Sequence, residues 1–139
     1  MTLLAAALAA REKAYAPYSG YRVGAAVETE DGQIFAGCNV ENISYGLTIC
    51  AERAAITAMV HGGGKKLVAV TVVTQDGGTP CGMCRQTLAE FASANGVAIT
   101  LATPSGTTMA TTLEELFPNS FSSAEVLRTA NDPSGVESE

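Results

Sequence analysis

The stretch CAERAAITAMVHGGGKKLVAVTVV, residues 50–73, decides the architecture. Ala54, Ala55, Ala58 and Met59 recur at helical spacing, so Cys50 to about Val60 predicts a helix, and Gly62-Gly63-Gly64 ends it. Leu67 to Val73 is then a continuous apolar, β-branched run, the pattern of a strand covered on both faces. Upstream, Val23, Ala25 and Val27 alternate as a strand does. Glu30-Asp31-Gly32 carries the Asp-Gly hairpin signal, and Gln33 to Cys38 returns as a second strand. Before them Thr2 caps a helix predicted to reach Tyr15, and Asn39 to Ile49 reads as a loop. Downstream, the loop Gln75 to Pro80 leads to a helix from Gly82 to Ala94 and strands at Ala98 to Ala102 and Thr107 to Thr111. Capping boxes follow at Thr112 with Glu115 and at Ser122 with Glu125. Alternating helices and buried strands predict an α/β layered fold on a mixed sheet, one domain over residues 1–129 with a polar, mobile tail over 130–139.

Composition narrows the function. The chain carries 8 Lys and Arg against 14 Asp and Glu, a net charge of −6, with no basic stripe to displace phosphate counterions. Nucleic acid and anionic membranes are therefore not expected partners; a small neutral ligand is. No apolar run approaches the ~20 residues of a membrane span. Leu3 to Ala10 imitates a secretion signal but lacks a basic start and runs into Arg11, Glu12 and Lys13, so it reads as a helix of a cytoplasmic protein. In that setting the Asn42-Ile43-Ser44 sequon carries no meaning, and four cysteines point to metal or catalysis before disulfides.

Two segments carry chemistry: Cys50-Ala51-Glu52-Arg53 and Pro80-Cys81-Gly82-Met83-Cys84. Both open helices, whose free amides and positive dipole favour thiolates. The offset between them leaves room for a helix, a strand and a return loop, the length of a right-handed crossover that sets two helix starts side by side. Three thiolates suit Zn²⁺ and leave a fourth position for water, whose pKa there falls to about 7. Cys50, Cys81 and Cys84 are the expected ligands of one zinc per chain. Arg53 is expected to donate hydrogen bonds to the sulfurs. Glu52, beside a ligand yet free of the metal, is the expected proton shuttle. Cys38 reads as a buried structural thiol and His61 as a favourable charge at a helix end.

At these residues the chain resembles the small zinc-dependent cytidine deaminases. The likeness runs from about Tyr15 to Ser123 and takes in Ala16-Pro17-Tyr18-Ser19, Tyr21 to Ala25, Gly37 to Asn42, Cys84-Arg85-Gln86 and Leu116-Phe117-Pro118 followed by Phe121. It implies a three-layer α/β/α sandwich around a five-stranded mixed sheet, a homotetramer, and hydrolytic deamination of free cytidine and 2′-deoxycytidine in pyrimidine salvage. It also implies roles at the site. Asn39 and Glu41 would bind the ribose hydroxyls, the backbone of Ala51 would read the pyrimidine O2, and the Tyr21 ring would lie against the base. Phe121 and Tyr45 would be lent to a neighbouring subunit's site.

Three other readings are open to the same residues. A deaminase of a related nucleoside, nucleotide or nucleoside antibiotic would share the zinc chemistry. A binding module stapled by zinc needs a fourth ligand, for which Cys38 is the spare thiol. A redox protein using Cys81 and Cys84 leaves Cys50-Ala51-Glu52 without a purpose.

Overall fold

Leu67–Val73 is the middle strand of the sheet, and its apolar residues are covered on both sides as their run predicts. The computed structural model describes residues 1–122. In chain order these form α1 (Leu3–Arg11), β1 (Gly24–Thr29), β2 (Ile34–Cys38), a 3-10 turn (Tyr45–Leu47), α2 (Ala51–His61), β3 (Leu67–Val73), α3 (Gly82–Glu90), β4 (Ala98–Ala102), β5 (Thr108–Thr112) and α4 (Leu113–Leu116). The expected capping at Ser122 with Glu125 and the tail from residue 130 involve positions outside the described residues.

The five strands are ordered β2-β1-β3-β4-β5; β3 and β4 are parallel and every other pair is antiparallel. Both faces are packed, as the layered expectation requires. Ala25, Val27, Val70, Val72, Ile99 and Leu101 point toward α2 and α3, meeting Ala55, Met59 and Leu88. Ala26, Val73 and Ala102 point the other way, toward Ala6 and Ala7 of α1. Each large apolar side chain so buried contributes about 1.5–3 kcal/mol.

Two helices stop short of their expected ends. α1 ends at Arg11, four residues before Tyr15, because Tyr15 is taken into a backbone bridge with Val40. α3 ends at Glu90 and not at Ala94, because Phe91 accepts from Leu67 N and Ser93 donates to Leu67 O, laying that segment beside β3. The Thr112 cap forms, its hydroxyl accepting from Glu115 N, whereas the Glu115 carboxylate accepts from Thr111 Oγ1 and does not close the box.

The sheet and α2 meet at their smallest residues. A Cβ on Gly37 would lie 2.5 Å from Ala55 N and 2.7 Å from Ala54 Cβ, so the backbone of α2 rests directly on β2. Gly37→Ala is expected to cost about 1–3 kcal/mol through overpacking, read as a lower thermal midpoint. Gly46→Ala, whose Cβ would meet nothing within 4 Å, should stay within about 0.5 kcal/mol of the parent. Equal midpoints for the two variants would show that the helix is not held this close.

Candidate active site

The site begins with strand direction. Cys38 pairs with Gly24, Gly24 with Val73, and Val73 with Ala102, so one row of residues crosses the sheet edge. β2 and β3 both end on that row, and the helices that follow them start beside it. After β2 the chain makes the excursion 39–49 and is drawn back by paired hydrogen bonds between Val40 and Ile49, which set down Cys50 as the N-cap of α2. After β3 the turn 74–80 delivers Cys81 as the N-cap of α3, with Cys84 one turn in. Neither capping thiol is spent on capping. The Sγ atoms of Cys50 and Cys81 lie 3.9 Å apart, those of Cys81 and Cys84 3.4 Å, and all three lie within 4.8 Å of one another.

Cys50 and Cys84 shift in opposite directions. Hydrogen bonding from Cys84, then from Cys81 and Arg53, draws Cys50 down to about 5, against the opposing effect of burial. Cys84 moves upward for the reciprocal reason: its hydrogen bond to Cys50 comes first, then burial, then the nearby charge of Glu52. Arg53 donates from Nη2 to Thr48 O at 2.9 Å, while its buried Nε has no partner among the described residues.

Glu52 is 5% exposed, buried with Ala51, Ala55, Ile56 and Met59. The spacing 52, 55, 56, 59 is one helical stripe, so the core face of α2 carries the carboxylate inward. Burial is the main cause that raises its pKa; the Cys50 charge adds to this, and its own backbone N–H and Cys84 act against it. Glu52 lines a cleft of about 200 Å³ together with Cys50, Cys81, Ala51, Asn39 and Tyr21.

Of the other expected site residues, Asn39 and Tyr21 line this cleft, Glu41 and Tyr45 line a neighbour, and Phe121 lines neither. Asn39 is buried and committed to the backbone, its Oδ1 accepting from Val23 N at 2.9 Å and its Nδ2 donating to Tyr21 O at 2.7 Å. Tyr21 donates its hydroxyl to Asp76 at 2.6 Å. Glu41 lies instead in an adjoining cleft, which shares Thr48 with the first. It accepts from Tyr18 N, Ser19 N and Ser19 Oγ, and the Ser19 hydroxyl above all holds its pKa down. Tyr45 packs edge-on against Tyr18 beside that second cleft, and Phe121 is exposed, its carbonyl accepting from Gln86 Nε2. Cys38 is half-buried at the end of β2, in a separate cavity with Ala6 and Lys13, so the expectation of a buried thiol is corrected. His61 ends α2, as expected. Thr48, Asp76 and the place of the 75–80 loop at the cleft escaped the sequence reading; the Tyr21–Asp76 pair spans 55 positions and has no local signal.

Residues 1–100 match the family model described as the cytidine and deoxycytidylate deaminase zinc-binding region. The chain belongs to that family. It is 42% identical over 126 residues to a cytidine deaminase of Sporosarcina psychrophila, covering 89% of this chain and 92% of that one. The crystal structure of cytidine deaminase from Burkholderia pseudomallei superposes with a TM-score of 0.80 at 44% identity, over 87% of this chain and all of the other. That from Mycobacterium tuberculosis gives 0.74 at 41%, over 86% and 94%.

The family's zinc fits the donors of this chain. Zn–S bonds of about 2.3 Å in a tetrahedron put sulfurs about 3.8 Å apart, close to the separations here. The unpartnered Arg53 Nε suits a cluster that carries negative charge. Among the described residues, Cys50, Cys81 and Cys84 are the only group of three or more His, Cys, Asp or Glu near enough to share a metal, and Cys38 is not in it. Metal analysis is expected to find one zinc per chain, lost in Cys84→Ser. Arg53→Gln should keep the stoichiometry but bind zinc about 10–100-fold more weakly in competition with a chelator. Unchanged affinity would leave Arg53 merely a tie between α2 and Thr48.

Proposed function

We propose that the protein hydrolyses free cytidine and 2′-deoxycytidine to uridine or deoxyuridine and ammonia. The observation that carries this reading is a buried carboxylate, Glu52, lining one cleft with Cys50 and Cys81, whose sulfurs converge with that of Cys84. Held by Cys50, Cys81 and Cys84, zinc supplies a Lewis acid that makes water nucleophilic at neutral pH. The rest falls to the chain. Glu52 takes a proton from the attacking water and gives it to N3 of the ring as oxygen adds to C4. It then takes the remaining proton from the new C4 hydroxyl and passes it to the amino nitrogen, which leaves as ammonia while the C4 carbonyl forms. A carboxylate raised by burial serves both halves of that task, since it binds and releases a proton nearer neutrality than an exposed one does.

The cleft walls support the substrate contacts that the resemblance implies. The Ala51 N–H, free at the first turn of α2, reads the pyrimidine O2, and the Tyr21 ring lies against the base. Asn39 keeps one donor hydrogen and one lone pair beyond its two backbone bonds, enough to bind a ribose hydroxyl; Glu41 takes the other hydroxyl from the adjoining cleft. Glu41 and Asp76 are both held below the usual carboxylate range, by Ser19 and by Tyr21 respectively, so both are charged at neutral pH. One anion bonded to the Tyr21 wall and another in the adjoining cleft favour a neutral nucleoside over its phosphate.

The neighbourhood of the clefts supports a homotetramer with shared sites. Ile43, Tyr45 and Leu47 are 79%, 76% and 64% exposed, and such apolar groupings mark interaction surfaces. In that assembly Tyr45 and Phe121 reach a neighbouring subunit's cleft. Among the described residues no helix is long and apolar enough to cross a membrane; we place the enzyme in the cytoplasm, in pyrimidine salvage.

Glu52→Gln is expected to retain zinc and lose at least about 10²–10⁴-fold in turnover, followed by ultraviolet loss of cytidine and release of ammonia. Loss of zinc would make Glu52 a ligand, and parental turnover would remove it from the chemistry. The parent should deaminate cytidine and leave cytidine 5′-monophosphate unchanged; equal rates on both would overturn the charge argument.

A further inference from the structure

Asp76 Oδ1 gathers three donors: the Tyr21 hydroxyl at 2.6 Å, Thr74 Oγ1 at 3.2 Å and Gly78 N at 3.2 Å. Gly78 N also donates to Thr74 Oγ1 at 2.8 Å. One oxygen thus knots the turn between β3 and α3 and ties it to a side chain from the segment before β1. Gly78 fits closely against that tie, since a Cβ there would lie 3.2 Å from Tyr21 Oη and 3.3 Å from Asp76 Oδ1. Tyr21, Gly78 and Thr79 line the cleft; Asp76 stands outside its lining. The same turn runs directly into Cys81.

The tie matters because packing alone does not hold the Tyr21 ring, which is 38% exposed. A ring free to swing about two torsions must be ordered when a ligand arrives, which weakens affinity by about two- to tenfold. A hydroxyl bonded to a carboxylate is a strong, charge-assisted restraint that orders the ring beforehand. Stacking on a base needs the ring and not the hydroxyl, so the hydroxyl's work is with Asp76.

We propose that Asp76 is a positioning residue. Through the Tyr21 hydroxyl it locks the Tyr21 ring and the 74–80 turn into one preformed wall, against which the pyrimidine nucleoside docks. This rests on the reading of the cleft as a nucleoside site. Asp76 touches no reacting atom, so its removal falls on KM and spares the chemical step.

The test is a double-mutant cycle in the zinc-loaded enzyme with cytidine as substrate. Tyr21→Phe and Asp76→Ala should each raise KM about three- to tenfold, with kcat changed by less than about twofold. The double variant should be no worse than either single one, because both remove the same bond. Asp76→Asn, which keeps an acceptor, should recover most of the loss. A second readout needs no substrate: amide hydrogen exchange at Gly78 should quicken in Tyr21→Phe, although that substitution leaves Gly78's own acceptors in place. Parental KM in Tyr21→Phe, losses that multiply in the double variant, or unchanged Gly78 exchange would each overturn the lock. A parent protein that leaves cytidine unchanged would sink the nucleoside reading instead, and the Gly78 exchange would then uphold or overturn the lock by itself.

Discussion

Everything at the site depends on two helices starting at the same edge of one sheet. That coincidence follows from strand direction. β1 lies between β2 and β3 and runs against both, so β2 and β3 run the same way and finish on the row that holds Cys38, Gly24 and Val73. A helix leaving either strand must return over the sheet, and its N-terminus therefore stays at that edge. Thiols at two N-caps then converge without any long-range search, and the amides of both first turns face the charge they bring. In open α/β sheets the crevice outside the carboxyl ends of the strands is where ligands bind, for this geometric reason.

The core and the buried carboxylate of the cleft are built from the same stripe of α2. Ala51, Ala55 and Met59 press against the sheet, and Glu52 lies among them because helical spacing leaves it nowhere else to point. Burying a carboxylate is unfavourable on its own account. Here the close seating of α2 on Gly37 and the apolar mass of β1 and β3 offset that cost, and the resulting dryness lifts the Glu52 pKa. Packing that is ordinary in any α/β protein thereby raises the pKa of a carboxylate that lines the cleft.

The parts of this design that were legible in the sequence are those that depend on near neighbours. The β3 run, the Asp-Gly hairpin, the glycine stop after α2 and the two cysteine motifs each announce themselves within a dozen residues. The parts that were not legible depend on partners far along the chain. Helical pattern continues past Arg11 and past Glu90, yet Tyr15 is claimed by Val40 and the 91–93 segment by Leu67. The resemblance marks Asn39 as a ribose binder, and only the fold discloses that its amide stitches Tyr21 to Val23. Asp76 sits in a Gly-rich loop whose composition gives no hint that Tyr21 reaches it.

The adjacency of Glu52 and Arg53 completes the argument. Opposite charges next to each other in a buried setting would be expected to neutralise one another, leaving neither free for work. On a helix, successive side chains point about a quarter-turn apart and do not face each other. Arg53 accordingly turns to Thr48 O and bears on Cys50, while Glu52 enters the core face and the cleft. Burial comes first and the Arg53 charge last among the causes acting on Glu52, and the net shift is upward. Arg53 bears on Cys50 while Glu52 faces the cleft, and a single helical step is what separates the two.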